Sequence, residues 1–154
     1  MQAREITEQL RELIQLDVDA VHAYDQALRA LEPTPAVQGT LAEFRLDHQR
    51  HVLELSQALL RMGENPPAFS SDMKGFVLEG VTALRGLTGP EGALKAMRGN
   101  EQLTNAVYAT VLAKPLPAEI LAIVRRAYAD EQRHLAYIES ALDGRVWEGG
   151  EART

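Results

Sequence analysis

The chain writes one helical hairpin twice, and this duplication constrains the fold more than any single motif. Asp47-His48-Gln49-Arg50-His51 returns 83 positions later as Asp130-Glu131-Gln132-Arg133-His134. Asp17 and Tyr24 return 84 positions later as Glu101 and Tyr108. Ser56-Gln57-Ala58-Leu59 falls likewise on Glu139-Ser140-Ala141-Leu142. A unit too small to bury its own apolar face must bury it against its copy.

The apolar spacing is helical throughout. Ile6, Leu10, Leu13, Asp17, Ala20, Tyr24, Ala27 and Leu31 step by fours and threes, predicting a helix from about residue 3 to 31. Glu32-Pro33-Thr34-Pro35 ends it, with Thr34 placed to cap the next helix and Pro35 at its first position. The second helix, to about Met62, carries Leu41, Phe44, His48, His51, Leu55, Ala58 and Met62 on one seam. Gly63 can close it in the left-handed conformation, and Pro66-Pro67 forbid its continuation. Two helices of this length, each roughly 40 Å long and joined by a short turn, must lie antiparallel.

The third helix, about 90 to 113, has Leu94, Met97, Glu101, Thr104, Tyr108 and Val111 on its seam. Lys114-Pro115-Leu116-Pro117 makes a turn, and the fourth helix, about 117 to 143, carries Ile120, Val124, Ala127, Glu131, His134, Ile138 and Ala141. Residues 64–90 are rich in proline, serine and glycine around one short helix-like piece, about 72 to 84. They read as a crossover, because the third helix must restart at the end where the first began. The expected architecture is all-α: a four-helix bundle of two repeated antiparallel hairpins in one domain, 1–144, with a long crossover containing a short helix. The tail 145–154 is polar apart from Val146 and Trp147 and is expected to be flexible.

The formal net charge of -6 argues against nucleic acid or an anionic membrane as partner. The absence of cysteine excludes disulfides, thiolate metal sites and cysteine nucleophiles, and fits a cytoplasmic location. No apolar run reaches the roughly 18 residues of a membrane span, and the start lacks the apolar stretch of a secretory signal.

Six ionisable side chains occupy seam positions that call for apolar ones: Asp17, His48, His51, Glu101, Glu131 and His134. An unpaired buried charge or imidazole costs several kcal/mol, so these groups need compensation. Counted from the two turns, all six lie at mid-height, about 15 to 18 residues away. Side chains at i and i+3 can hold one ion between them, and His48/His51 and Glu131/His134 have that spacing. Asp17 and Glu101, one from each remaining helix, can bridge or cap, so a metal ion, or a pair, is the expected compensation.

The repeated hairpins, the long crossover, the acid-to-tyrosine spacing and Asp-Glu-Gln-Arg-His resemble the ferritin-like, rubrerythrin-related superfamily, and more narrowly its small bacterial members of unknown function. The resemblance covers about residues 3 to 143. Ferritin-like carboxylate proteins place a Glu on each of two helices and Glu-x-x-His on each of the other two. The resemblance therefore implies Glu101, Glu131, His134 and His51 as metal ligands, with Asp17 a shorter acid at a Glu position. His48 departs from the pattern, standing where a second Glu-x-x-His would have Glu. The set becomes three carboxylates and three imidazoles, and His48 cannot bridge two ions as a carboxylate does. Two iron ions are the implied cofactor, with zinc, a single metal or a manganese–iron mixture left open.

The resemblance implies oxygen or peroxide chemistry: ferrous iron oxidation, peroxide reduction or oxidation of a small substrate. The other class is a non-enzymatic metal-binding or stress-response scaffold, or a metal-free network of acid–imidazole bonds. Iron storage would need a closed multimeric shell, which the sequence does not reveal. A homodimer is open to such a bundle, although no face demands one. Tyr24 and Tyr108, two turns from the acids, are core packing or relays for protons or electrons. Asp47 and Asp130, with Arg50 and Arg133, are either partners that orient the imidazoles or exposed helix ion pairs. His22, Asp19 and Asp25 lie off the seam, and the methionines are scattered fillers.

Overall fold

A computed structural model of the chain describes residues 1–67 and 89–149. Four long helices fill them: α1 (Ala3–Ala30), α2 (Pro35–Arg61), α3 (Gly89–Leu112) and α4 (Ala118–Asp143). Each lies within two residues of the helix expected from the periodicity. Gly63 takes the left-handed conformation (φ 79°) after α2, as its place beyond the last apolar residue requires. Thr34 differs from expectation. It stands at the N-cap of α2 with Pro35 beside it, but its side chain makes no capping bond, since its φ of -128° and ψ of 73° leave the usual cap conformation. The short helix expected at 72–84 lies outside the described residues. The tail begins with one further helical turn, α5 (Val146–Gly149), and Val146 and Trp147 pack against the nearby core.

The helices pack as a bundle in which α1 neighbours α2 and α3, and α4 neighbours α3 and α2. Two apolar clusters give the directions. One gathers Leu10 and Leu13 of α1, Leu55 and Leu59 of α2, Val111 of α3 and Ile120 and Val124 of α4. The other gathers Ala27 and Leu31, Val37 and Leu41, Leu94 and Met97, and Ile138 and Ala141. Each end of the bundle thus holds the start of two helices and the finish of two, so neighbours run antiparallel. Contrary to expectation, α3 starts at the end where α1 finishes, with Leu94 and Met97 beside Ala27 and Leu31, and not at the end where α1 begins. The finish of α2 lies at the end where α1 begins, so α2 finishes and α3 starts at opposite ends of the bundle. No helix among the described residues is long and apolar enough to cross a membrane.

Between the two clusters the apolar filling stops. At that level Asp17, His48, His51, Glu101, Glu131 and His134 are all at most 1% exposed. The clusters above and below supply the stability. Leu59→Ala, at a fully buried position, is expected to cost about 2–5 kcal/mol in urea unfolding. Leu53→Ala, on the outer face of α2 at 58% exposure, should stay within about 0.5 kcal/mol.

Candidate metal centre

The structure brings all six sequence-predicted groups to one place. Asp17 comes from α1, His48 and His51 from α2, Glu101 from α3, and Glu131 and His134 from α4. Their donor atoms form two overlapping sets, Asp17/His48/His51/Glu131 and His48/Glu101/Glu131/His134, each with all its atoms within 4.8 Å of one another. Either set is composed to hold a metal ion, with hard carboxylate oxygens and borderline imidazole nitrogens.

His48 Nδ1 lies 2.7 Å from Asp17 Oδ1, and His48 Nε2 lies 3.0 Å from Glu101 Oε1. His51 Nδ1 sits 3.1 Å from the same Asp17 oxygen and 3.2 Å from Glu131 Oε1. The outward nitrogens of the other two rings are tied across the hairpins: His51 Nε2 to Asp130 at 2.9 Å and His134 Nε2 to Asp47 at 2.8 Å. The leading aspartate of each pentapeptide thus orients the closing histidine of the other. Arg50 and Arg133 complete the arrangement. Arg133 donates to Asp47 at 2.6 Å and to Asp130 at 3.2 Å, and Arg50 donates to Asp47 at 3.1 Å and also to Asp130. The aspartates therefore do both jobs open to them, holding imidazoles and forming ion pairs at the surface.

The tyrosines are exchanged in the same symmetric way. Tyr24 of α1 donates to Glu101 at 2.5 Å, and Tyr108 of α3 donates to Asp17. Thr104 was absent from the expected site. Its hydroxyl lies 3.0 Å from Glu101 Oε2 and 3.2 Å from Glu131 Oε2. A signal existed, because its counterpart in the first hairpin is the buried Ala20. Asn105 bridges α3 and α4 by donating to the carbonyls of Glu101 (2.7 Å) and Glu131 (3.0 Å). Phe44 stacks on His134 with ring centroids 4.2 Å apart. His22 is half-buried outside the centre, and Asp25 is paired with Arg45 at 2.6 Å. Two buried atoms of the centre have charged neighbours but no contact with hydrogen-bond geometry: Glu131 Oε1, with His51 Nδ1 at 3.2 Å and His48 Nδ1 at 3.4 Å, and His134 Nδ1, 3.5 Å from Glu101 Oε1. Glu131 belongs to both donor sets and His134 to one. Leaving such an atom unpaired costs about 1–3 kcal/mol, and a cation would satisfy it.

The charges are set by mutual contact. Burial alone would raise the Asp17 carboxyl, but hydrogen bonds and charge from His48 and His51 hold it at about 2. Burial would lower His51, yet Asp130, Asp17 and Glu131 push it up to about 12. His48 and His134 are likewise held above their ordinary value against the pull of burial, His48 chiefly by the Glu131 charge and bonds to Asp17 and Glu101. Burial raises Glu101 too, but His134 and His48 overcome it and leave the carboxyl well below its usual range. For Glu131 burial wins over the imidazoles, and its carboxyl is raised. Burial and the adjacent carboxylates keep both tyrosines neutral. Without metal, the acids thus favour the protonated form of each imidazole, whose charge offsets theirs.

The signs give a pH profile. His51, raised from 6.5 to about 12, contributes stability that is whole below pH 6.5 and is lost as pH climbs toward 12. Asp17, lowered from 3.8 to about 2, contributes stability that is whole above pH 3.8 and is lost as pH falls toward 2. In chelator, thermal unfolding is expected to be highest between about pH 4 and 6.5 and to fall by about pH 9. With metal bound, a cation replaces those protons, and the alkaline loss should disappear.

Comparison with known proteins places the chain without assigning an activity. No curated protein matches it. A family model described as "Domain of unknown function (DUF2383)" matches residues 5–114, a span holding Asp17, His48, His51 and Glu101 and stopping before α4. That match covers more than half of the chain, which therefore belongs to the DUF2383 family.

Proposed function

We propose that the chain is a metal-binding protein of ferritin-like kind, whose mid-bundle centre takes iron and acts on Fe(II), O2 or peroxide. The observation that carries this reading is the pair of overlapping, fully buried donor sets, in which Glu131 Oε1 and His134 Nδ1 make no hydrogen bond. Bound iron would supply one-electron redox chemistry at a site shut off from bulk water. Asp17, His48, His51, Glu101, Glu131 and His134 would hold the ions. Asp47 and Asp130 fix two of the imidazoles so that their Nδ1 atoms face inward. Tyr24 and Tyr108 place neutral phenols on Glu101 and Asp17, where they can hold or pass a proton. The likeness of the repeated hairpins to rubrerythrin-related proteins supports the same reading. A cytoplasmic, stress-linked role accords with it, and manganese or zinc would suit the same nitrogen and oxygen donors.

A non-enzymatic scaffold is the second reading. One observation favours it: the carboxylates push all three imidazoles toward their charged form, so the acids have counter-charges without a cation. Elemental analysis of protein purified without added metal separates the two, with bound metal expected. Glu131→Ala and His134→Ala should each lower metal content by about half or more, since His134 is a donor in one set of four and Glu131 in both. Near-full occupancy in both would refute their assignment. Anaerobic Fe(II) titration followed by exposure to O2 should then give a ferric absorption band with turnover, whereas a metal-loaded but spectroscopically silent protein would favour the scaffold.

A further inference from the structure

His48 presents its two ring nitrogens to different donor sets. Nδ1 faces Asp17 Oδ1 at 2.7 Å and Glu131 Oε1 at 3.4 Å, on the side of His51. Nε2 faces Glu101 Oε1 at 3.0 Å, the oxygen that His134 Nδ1 approaches to 3.5 Å. Glu131 divides in the same way. Its Oε1 lies toward His48 and His51, while its Oε2 lies toward Thr104 and, at 3.6 Å, His134 Nδ1. His48 and Glu131 are the two residues common to both sets. They occupy equivalent positions in the two pentapeptides.

A ring nitrogen has one lone pair in the ring plane, so a single ion cannot use both nitrogens of one imidazole. When both nitrogens have donors around them, the ring can connect two sites. We propose that His48 bridges two metal ions, one on Nδ1 with Asp17, His51 and Glu131, the other on Nε2 with Glu101, Glu131 and His134. This rests on the metal-centre reading above and adds nuclearity and spacing to it. Each ion then has four protein donors, the number that suits Zn2+. Both N–H protons of the ring leave to solvent as both ions bind, and the ring becomes an anion. The negative charge missing where Glu is replaced by His is thereby restored in the filled site. Spacing is the second consequence. Metal–nitrogen bonds of about 2.0–2.1 Å on either side of the ring set the ions about 6 Å apart. Two-metal sites closed by carboxylates and water hold their ions about 3.5–4 Å apart.

The full chain, stripped with chelator and reloaded with Zn2+, tests the bridge. Zinc stoichiometry in solution should be two per chain, and anomalous difference maps of zinc-loaded crystals should show two peaks about 6 Å apart with His48 between them. His48→Asn keeps a donor atom near the Nδ1 position, and His48→Gln keeps one near the Nε2 position. Each should fall to one zinc, with the retained peak beside Asp17 in the first and beside Glu101 in the second. Helical circular dichroism identifies a variant that fails to fold, and the other variant still reads the effect. One zinc in the parent chain would overturn the bridge, as would two zincs with His48 on only one, or two zincs kept by both variants. A parent chain that takes no zinc or any other divalent metal removes the metal-centre reading and the bridge with it.

Discussion

Burying three imidazoles and three carboxylates at mid-height costs several kcal/mol for every charge left uncompensated. The bundle makes that burial possible by turning the six groups into one another's partners. Asp17 takes contacts from two histidines, and Glu101 lies against His48 and Tyr24. None of the elements can rotate independently without exposing a group to an apolar neighbour. The centre thus fixes the facing of all four helices, while the apolar clusters on either side supply the free energy that holds them together.

The contacts that cross between hairpins are arranged in pairs. Tyr24 reaches Glu101 while Tyr108 reaches Asp17, and Asp130 holds His51 while Asp47 holds His134. The first pair joins α1 to α3 and the second joins α2 to α4. Arg50 and Arg133, each about half exposed, close the second seam on the solvent side. Buried donors, fixed rings and a charged outer seam together describe a site whose geometry is set before any ligand arrives, which is what tight metal selection requires.

Much of this was legible in the residues. The steps of three and four apolar positions located each helix, and counting from Pro33 and Leu116 placed the six ionisable groups at one level. Orientation was not legible. Which nitrogen of His51 or His134 points inward is decided by an aspartate 79 or 87 positions away, and no local spacing encodes it. The role of Thr104 was hidden because a buried threonine on a helix seam commonly satisfies itself on its own backbone, as this one also does on the Glu101 carbonyl. The expected cap at Thr34 failed for a related reason: cap formation depends on φ and ψ that the preceding turn imposes.

The one mismatch between the two pentapeptides, His48 against Glu131, has a consequence for how the halves find each other. Two first hairpins set face to face would collect four imidazoles against two acids, and two second hairpins would collect four acids against two imidazoles. Only an unlike pair reaches parity. Separated fragments of this protein would thus prefer a mate of the other kind to a duplicate of themselves, with the choice made by charge sorting in the interior.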